Sequence, residues 1–413
     1  MTTYANVLTI AIPIFFFLVL VEIFYGFILR KNYYNLMDTL SSLSSGITNL
    51  LKDLLGIGII IISYPFIKKS ISIIELNESI HLYIIAFVCL DFASYWNHRL
   101  NHSINFFWNQ HVIHHSSQEF NLACALRQSI SNLLGYGAIF LIPAALFGVP
   151  HKVISLLAPL HLFGQFWYHT KHIGKLGFLE YIFVTPSQHR VHHAINLEYI
   201  DKNLSAIFCV WDRLFGTFQE ELEKVPCVYG TLKPVNTWNP FIINFQHFWY
   251  LTIDAWHTRK LKNKFKIWFM PTGWRPDDVK VKIKRDKITN VYSQKKYEIE
   301  YKKIHVFYAI FNFVYINVSL WLLLVGYDEL DSNLKIFYST FILTTIFGFT
   351  SIMDSYKLAF HIEIFRLILG TILINNIIEF ENFNFYLFNF YFMFSIFLTL
   401  TVSNYPPKEN KMV

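Results

Sequence analysis

Histidines are concentrated in three short segments of this chain at spacings of three or four residues. Residues three and four apart lie on the same face of a helix, so each segment aims its imidazoles in one direction. Eight neutral imidazoles exceed what one metal ion needs and fit two. The segments consist of an HxxxH pair and two HxxHH triplets: His98 and His102; His111, His114 and His115; His189, His192 and His193.

The ligand type alone leaves the metal open, because imidazole binds zinc, copper, iron and nickel. A structural zinc ion takes four ligands and a catalytic zinc ion takes three plus water, fewer than these segments offer. Carboxylates are scarce near the histidines, unlike in the glutamate-rich di-iron bundles. The composition nevertheless suits a pair of redox-active ions with open positions for dioxygen.

Other residues are predicted to complete such a site. His169 is predicted as a ninth ligand, and His161 lies two helical turns before it on the same flank, where a satisfied intramembrane histidine is the alternative. Bound imidazoles usually donate their second N–H to a carboxylate or carbonyl group. The candidates for this second shell are Asp91, Glu119, Asp201 and Asn203. For Asp201 and Asn203 an ordinary turn or helix cap is the competing interpretation.

The composition predicts a polytopic membrane protein. The 413 residues are 54% apolar and only 15% charged, whereas soluble domains carry about 25% charged residues. A helix that crosses the bilayer needs about 20 apolar residues. About nine such spans are expected, at 7–29, 47–66, 80–96, 130–149, 152–169, 305–325, 334–352, 358–378 and 385–402. The four scattered cysteines form no CxxC pair and predict neither a disulfide framework nor a thiolate zinc site.

The predicted fold is therefore all-α: a membrane helical bundle with a cytosolic helical cap that carries a histidine-rich di-metal site. The basic stretch 258–303 places this cap in the cytosol, because cytoplasmic loops are rich in Lys and Arg. No groove-reading motif accompanies it, so a nucleic-acid partner is not expected. Four regions follow: N-terminal spans (1–79), the histidine-bearing domain (80–220), a cytosolic or interfacial basic segment (221–304) and C-terminal spans (305–413).

At the histidines the chain resembles the fatty acid hydroxylase/sterol desaturase superfamily, whose members carry HxxxH, HxxHH and HxxHH. The flanking residues are closer to its alkylglycerol monooxygenase-like branch. The matching stretches are Tyr95–Arg99, His111–Ser117, Ala125–Ser129, Gln165–Thr170, Thr185–Ser187 with His189–His193, and Trp211–Phe218. The resemblance implies an integral membrane, dioxygen-dependent lipid hydroxylase with two iron ions on the boxed histidines. In that branch tetrahydrobiopterin is the reductant, and hydroxylation of an ether carbon cleaves the lipid.

Physical reasoning agrees with this class. Redox-inert zinc cannot drive oxygen insertion into an alkyl C–H bond, and a site that caps a membrane bundle can receive a lipid chain. The sequence holds no GxGxxG, haem-attachment or cysteine-rich electron carrier, so an external reductant or a separate electron donor is expected.

Several functions remain open at this stage. A lipid or sterol desaturase would use the same iron site. A metal transporter would place its polar residues at the bilayer midplane, whereas here they follow the ends of spans. A histidine-rich structural protein is a further alternative. The Phe-, Ile-, Asn- and Lys-rich composition suggests an AT-rich genome and a bacterial inner membrane. The endoplasmic reticulum, where eukaryotic members of the superfamily reside, is the other location considered.

Overall fold

The computed structural model describes residues 2–377 and 382–409. The chain is predominantly helical, as predicted. The first part contains α1 (Thr2–Ile28), α2 (Leu36–Leu54), β1 (Ile59–Ile60), α3 (Tyr64–Ile71), α4 (Ile80–Ser103), α5 (Asn105–Trp108), α6 (Leu122–Ala125), β2 (Leu134–Gly135), α7 (Ile142–Leu146), α8 (His151–Phe163), α9 (Pro186–His193) and α10 (Val210–Phe215). Short 3₁₀ turns lie at His114–Ser116, Gly137–Leu141 and Gly177–Tyr181.

The second part of the chain begins with a helical segment and ends with long apolar helices. Its elements are α11 (Pro240–His257), α12 (Leu261–Phe269), α13 (Asp277–Lys282), a 3₁₀ turn at Val291–Ser293, β3 (Ile299–Glu300), α14 (Lys303–Val325), α15 (Ser332–Met353), α16 (Ala359–Ile377), α17 (Asn382–Asn404) and β4 (Lys408–Glu409). Strands β1 and β2 pair in parallel, and β3 and β4 pair antiparallel. Each pair spans two residues and serves only to fasten a loop.

Four helices in the described part of the chain are long and apolar enough to cross a bilayer. They are Ala5–Ile28, Ile80–Ser103, Lys303–Val325 and Ser332–Met353. The protein is therefore an integral membrane protein. Helices α16 and α17 occupy the ranges predicted as the last two spans, of which residue 378 lies outside the described residues.

Three of the nine predicted spans are wrong as single helices. The range 47–66 is divided among the end of α2, β1 and the start of α3, and 130–149 contains β2, a 3₁₀ turn and the short α7. The range 152–169 holds only the 13-residue α8, which is about 20 Å long. Glycine and proline interrupt each of these apolar runs, and hydropathy alone does not register them.

A turn at Gly148-Val149-Pro150 joins α7 to α8. Gly148 has a φ of 62°, and a Cβ atom there would lie 2.0 Å from the carbonyl oxygen of Ile74. Only glycine fits this left-handed, crowded position. The turn reverses the chain and leads through α8 to His169.

Two hydrophobic cores hold the fold. The larger core joins α1, α2, α14, α15 and α17 and includes Leu51, Ile316 and Phe349. The smaller core joins α3, α4, α7 and α8 and includes Ala86 and Ala144. Helix α4 passes through the smaller core and delivers its C-terminal histidines beyond it. Packing of α4 in this core therefore fixes the position of the histidines at its C-terminal end.

Candidate metal centre

Four separated segments supply the histidines of the site. His98 and His102 lie one turn apart at the end of α4. The chain then reverses through α5 into the turn and 3₁₀ segment that carry box two, residues 111–115. His169 follows α8, and box three, residues 189–193, lies on α9. Pro186 is the first residue of α9, and its fixed φ starts a helix without leaving an unpaired N–H group.

The structure brings nine of the ten predicted ligands into two adjacent groups. In each group, nitrogen atoms of all members lie within 4.8 Å of one another. Cluster one comprises His98, His102, His111, His115 and His192, and cluster two comprises His114, His169, His189 and His193. His161 belongs to neither group.

The Nε2 atoms converge within both clusters. In cluster one, the Nε2 atom of His111 lies 2.8 Å from that of His98 and 3.0 Å from that of His115. In cluster two, the Nε2 atom of His189 lies 2.9 Å from that of His169 and 3.1 Å from that of His193. Each cluster therefore has a centre towards which imidazole nitrogens point.

The protonation states reveal what these centres need. The Nδ1 atoms of His169 and His114 face the carbonyl oxygens of Gln165 and Arg127 at 3.0 Å and 3.3 Å. A carbonyl group only accepts, so both Nδ1 atoms carry the proton and both Nε2 atoms present lone pairs. These two lone pairs face each other at 3.4 Å. A bound cation resolves such repulsion, so the residues fit a metal ion.

Cluster one passes the same test. The Nε2 atoms of His102 and His192 are buried and have no hydrogen-bond partner. Buried polar atoms are nearly always satisfied, and a metal ion would satisfy these. The nitrogen donors of the two clusters suit a pair of ions.

Burial keeps these imidazoles in their neutral, metal-binding form. Desolvation, followed by repulsion from neighbouring imidazoles, lowers the pKa values of His111, His115 and His189 well below their usual range. The same burial lowers the pKa of His114 to about 3. Metal binding therefore needs no deprotonation of these side chains near neutral pH.

A short loop after box three orients cluster one. The carboxylate of Asp201 lies 3.1 Å from the Nδ1 atom of His102. The carbonyl oxygens of Lys202 and Leu204 accept hydrogen bonds from the Nδ1 atoms of His192 and His98, at 3.0 Å and 2.8 Å. Such outer partners fix the tautomer and the ring orientation. The 201–204 loop thus orients the rings of three of the five cluster one histidines: His98, His102 and His192.

The loop depends on an unusual backbone conformation. Asp201 and Asn203 have φ values of 56° and 52°, which Asp and Asn tolerate better than most residues. The Asn203 side chain donates to the carbonyl oxygens of Gln188 and Gln219 and accepts from the Gln219 amide. The Asn203 side chain thus holds the loop in its turn, which is the competing interpretation given for this residue.

Asp91 and Glu119 also lie elsewhere than predicted. Buried Asp91 accepts hydrogen bonds from His161 Nε2 at 2.7 Å and from the backbone amides of Ile207 and Phe208. It therefore fixes the segment that follows the 201–204 loop and explains why His161 lies outside both clusters. Glu119 forms an ion pair with Lys296 and contacts no boxed histidine.

A buried ion pair that the sequence analysis missed supports box two. Arg127, 1% exposed, donates to Asp38 at 2.9 Å and to Ser116 at 2.8 Å. Asp38 also accepts from Ser117, while the Arg127 carbonyl oxygen faces His114. The Ser-rich stretch 38–45, which precedes the predicted span 47–66, is a buried polar part of α2.

The first membrane helix also reaches the site. The Glu22 carboxylate accepts from Thr170 Oγ1 at 2.5 Å, from the Leu122 amide at 2.7 Å and from the Tyr34 hydroxyl. Thr170 directly follows the ligand His169. The sequence carries a signal for this contact, because Glu22 is an acid inside an apolar span, and such residues usually have a partner.

A cavity of about 280 Å³ adjoins cluster one. Its walls include His102, His115 and His192 of cluster one and His193 of cluster two. His169 and His189 of cluster two are covered by the buried rings of Phe120 and Tyr168, which contact them. A small molecule can therefore approach the centre from the side of cluster one.

Comparisons with known proteins agree with this site. The fatty acid hydroxylase family model matches residues 83–217. The alkylglycerol monooxygenase of Homo sapiens is 40% identical over 268 residues, 64% of this chain and 59% of that protein. The alkylglycerol monooxygenase of Danio rerio is 31% identical over 361 residues, which are 87% of this chain and 80% of that protein.

A more distant relative shares only the central region. The ornithine lipid hydroxylase OlsE of Rhizobium tropici is 30% identical over 135 residues, 33% of this chain and 41% of that protein. No solved structure matches the chain. With its histidine boxes and its likeness to the Danio rerio protein over most of both lengths, the chain belongs to the alkylglycerol monooxygenase branch of the fatty acid hydroxylase superfamily.

Proposed function

We propose that this protein is a membrane-bound, dioxygen-dependent diiron monooxygenase that hydroxylates the ether carbon of alkylglycerol lipids. The observation that carries the proposal is the pair of histidine clusters: the facing lone pairs of His114 and His169 in cluster two call for one cation, and the unpartnered Nε2 atoms of His102 and His192 in cluster one call for another. The alkylglycerol monooxygenases named above support the choice of substrate. The matched part of the chain spans about 59% of the length of the human relative, so the activity of that whole protein is a proposal for this chain.

Iron is proposed as the metal because the reaction is an oxidation. Imidazole ligands also suit zinc, but zinc has no redox chemistry. Nine histidines, five in cluster one and four in cluster two, are proposed as ligands. His161 is excluded from the proposed set because its Nε2 atom is engaged by Asp91.

The proposed reaction balances with two external electrons. An ether R–CH₂–O–R′, dioxygen, two electrons and two protons give the hemiacetal R–CH(OH)–O–R′ and water. The hemiacetal then breaks its C–O bond to the glycerol part, releasing the aldehyde R–CHO and the alcohol R′–OH. When bound, the iron pair supplies dioxygen reduction and C–H oxidation. We propose an external reductant, either tetrahydrobiopterin or a separate electron-donor protein.

The chain itself positions and shields the site. The 201–204 loop and the Gln165 and Arg127 carbonyl oxygens hold the ligand tautomers. Phe120 and Tyr168 keep water from cluster two. The cavity beside cluster one receives the substrate, and α4 joins this site directly to the bilayer in which the lipid resides.

The same reasoning gives a proposed membrane arrangement. We propose that the histidine boxes face the cytosol of a bacterial inner membrane; the cytosolic orientation is supported by the basic residues of 258–303, since cytoplasmic loops are rich in Lys and Arg. Residues 80–220 are proposed as the catalytic unit and 221–304 as its cytosolic cap. Spans within 1–79 and 305–413 are proposed as the anchor.

Incubation of the purified protein with O-hexadecylglycerol, a reductant and ¹⁸O₂ tests the proposal. We expect labelled hexadecanal, which must be reduced to the alcohol at once so that its oxygen does not exchange with water. A variant with His193→Ala serves as the inactive control. An unlabelled alkene would instead identify a desaturase, and an unchanged lipid would refute the proposed substrate.

A further inference from the structure

The lining of the cavity beside cluster one comprises two chemically different sets of residues, which we call its histidine side and its cationic side. Histidines 102, 115 and 192 form one side. The other side carries Lys233, Gln246, Tyr250 and, at the exposed rim, Lys287. Polar groups that converge in a cavity adjoining a reactive centre define the part of a ligand that is recognised. The cationic side is therefore available to bind a polar group while an adjacent atom meets the metals.

Positive charge on this side is not neutralised by the protein. Asp254 is the nearby acid, and it already accepts from Arg275 at 2.6 Å and from Arg285 at 2.6 Å. In the described ranges Lys233 forms no ion pair, although it is only partly exposed. Burial and the neighbouring Arg285 lower the pKa of Lys233 to about 8. The ammonium group is thus mainly protonated at neutral pH and lacks an anion.

The neighbouring cation Arg285 is held in place by Tyr250. Arg285 stacks over the Tyr250 ring, with its guanidinium carbon 4.4 Å from the ring centroid, and donates to the Tyr250 carbonyl oxygen at 2.8 Å. The neighbouring His247 is engaged by the backbone, since its Nε2 atom donates to the Asn105 carbonyl oxygen at 3.0 Å. Of the acids near the cavity, Asp254 is engaged by two arginines and Asp201, which also lines the cavity, lies 3.1 Å from the Nδ1 atom of His102. Among the described residues, no ion pair joins either carboxylate to Lys233.

The position of the charge limits which carbon is oxidised. In a glycerol ether phospholipid, the ether carbon is only a few bonds from the phosphate, whereas the middle of an alkyl chain is far from it. A headgroup site inside the same cavity as the metal ligands fits oxidation next to the headgroup. Lysine binds phosphate as a point charge, and hydrogen bonds between charged groups are strong.

We propose that this cavity is a phosphate-binding headgroup site in which Lys233, assisted by Lys287, selects ether lipids that carry a phosphate group over neutral alkylglycerols. The inference rests on the proposed function for its reaction but concerns binding. Binding can be measured without turnover, so the two proposals fail separately.

The binding experiment uses the full-length protein in detergent, without reductant, and compares O-hexadecylglycerol with O-hexadecylglycerol phosphate. We expect the phosphate lipid to raise the melting temperature of the wild type at concentrations about tenfold lower than the neutral lipid, since a ligand that binds the native state stabilises it. Lys233→Met should remove this difference, and Lys233→Arg should retain most of it. Lys284→Gln, an exposed lysine of the same segment that does not line the cavity, is the matched control.

Turnover provides the second readout. The ratio of kcat/KM for the phosphate lipid to that for the neutral lipid should fall about tenfold or more in Lys233→Met and remain unchanged in Lys284→Gln. Equal binding of the two lipids to the wild type would overturn the proposal. So would stabilisation by inorganic phosphate through Lys233 without any preference between the lipids, because the site would then hold free phosphate. If the protein binds the two lipids with different affinity but oxidises neither, only the proposed reaction is refuted.

Discussion

Cluster one and cluster two have similar ligands but different surroundings. Cluster one borders the cavity, and its outer hydrogen bonds come from the 201–204 loop. Cluster two lies behind Phe120 and Tyr168, and its outer bonds come from carbonyl groups next to α8 and box two. Under the proposed function, cluster one would therefore meet the substrate, and cluster two would form the more shielded half of the centre.

The two clusters are nevertheless one structural unit. The rings of His115 in cluster one and His193 in cluster two stack with their centroids 4.4 Å apart. Both HxxHH boxes also contribute to both clusters. A substitution that displaces either HxxHH box should therefore change the geometry of both clusters.

The largest effect is expected from loss of one ligand in either cluster. His192→Ala and His114→Ala should both reduce turnover to the background of the assay, because each removes a ligand and opens a buried, charged site. Membrane fractionation should find both variants inserted as the wild type is. Substantial turnover in either variant would contradict a joint role of the clusters.

A large loss of stability is expected from breaking the ion pair that supports box two. Arg127→Met leaves Asp38 buried without its cation, which costs about 3–5 kcal/mol. Thermal unfolding in detergent should shift clearly, and the double variant with Asp38→Asn should recover part of the loss. An unshifted unfolding curve would show that this pair does not hold box two.

A local effect is expected from the loop beside cluster one. Asp201→Asn should weaken metal retention in cluster one about 10–100-fold and leave cluster two occupied, since outer-shell partners tune metal affinity by this amount. Metal loss during titration with a chelator measures the effect. Glu198→Gln, an exposed neighbour, is the control. Equal loss from both clusters would show that the loop acts on the whole centre.

The smallest effect is expected on the side of cluster two, where Glu22 accepts from Thr170. Thr170→Val removes one hydrogen bond to a buried carboxylate and should destabilise the protein by about 1.5–3 kcal/mol. The unfolding midpoint should fall modestly while the metal content stays near that of the wild type. A complete loss of cluster two metal would assign Glu22 a much stronger part in holding His169.

The sequence predicted which histidines converge better than how they divide between the two clusters. Nine of the ten histidines predicted as ligands converge, because a spacing of three or four residues aims side chains together. The structure adds a simple pattern: pairs four residues apart, such as His111 and His115, stay in one cluster. The remaining member of each triplet, His114 or His192, crosses to the other cluster. This crossing depends on how the boxes face each other, which spacing does not reveal.

The outer partners were predicted only in part. Asp201 was found because a carboxylate is a recognisable candidate, but the carbonyl groups of Lys202 and Leu204 have no side-chain signature. The polar face of α2 was hidden because serines are common in links. The predicted spans at 47–66, 130–149 and 152–169 failed since apolar composition does not distinguish a long helix from short elements broken by glycine and proline.

Metal analysis of freshly purified, anaerobically handled protein tests the central claim most directly. The account predicts about two iron ions per chain in the wild type, with loss of metal when His189 in cluster two is replaced by alanine. Zinc alone, or one metal ion per chain that survives this replacement, would contradict a diiron centre built from the two clusters.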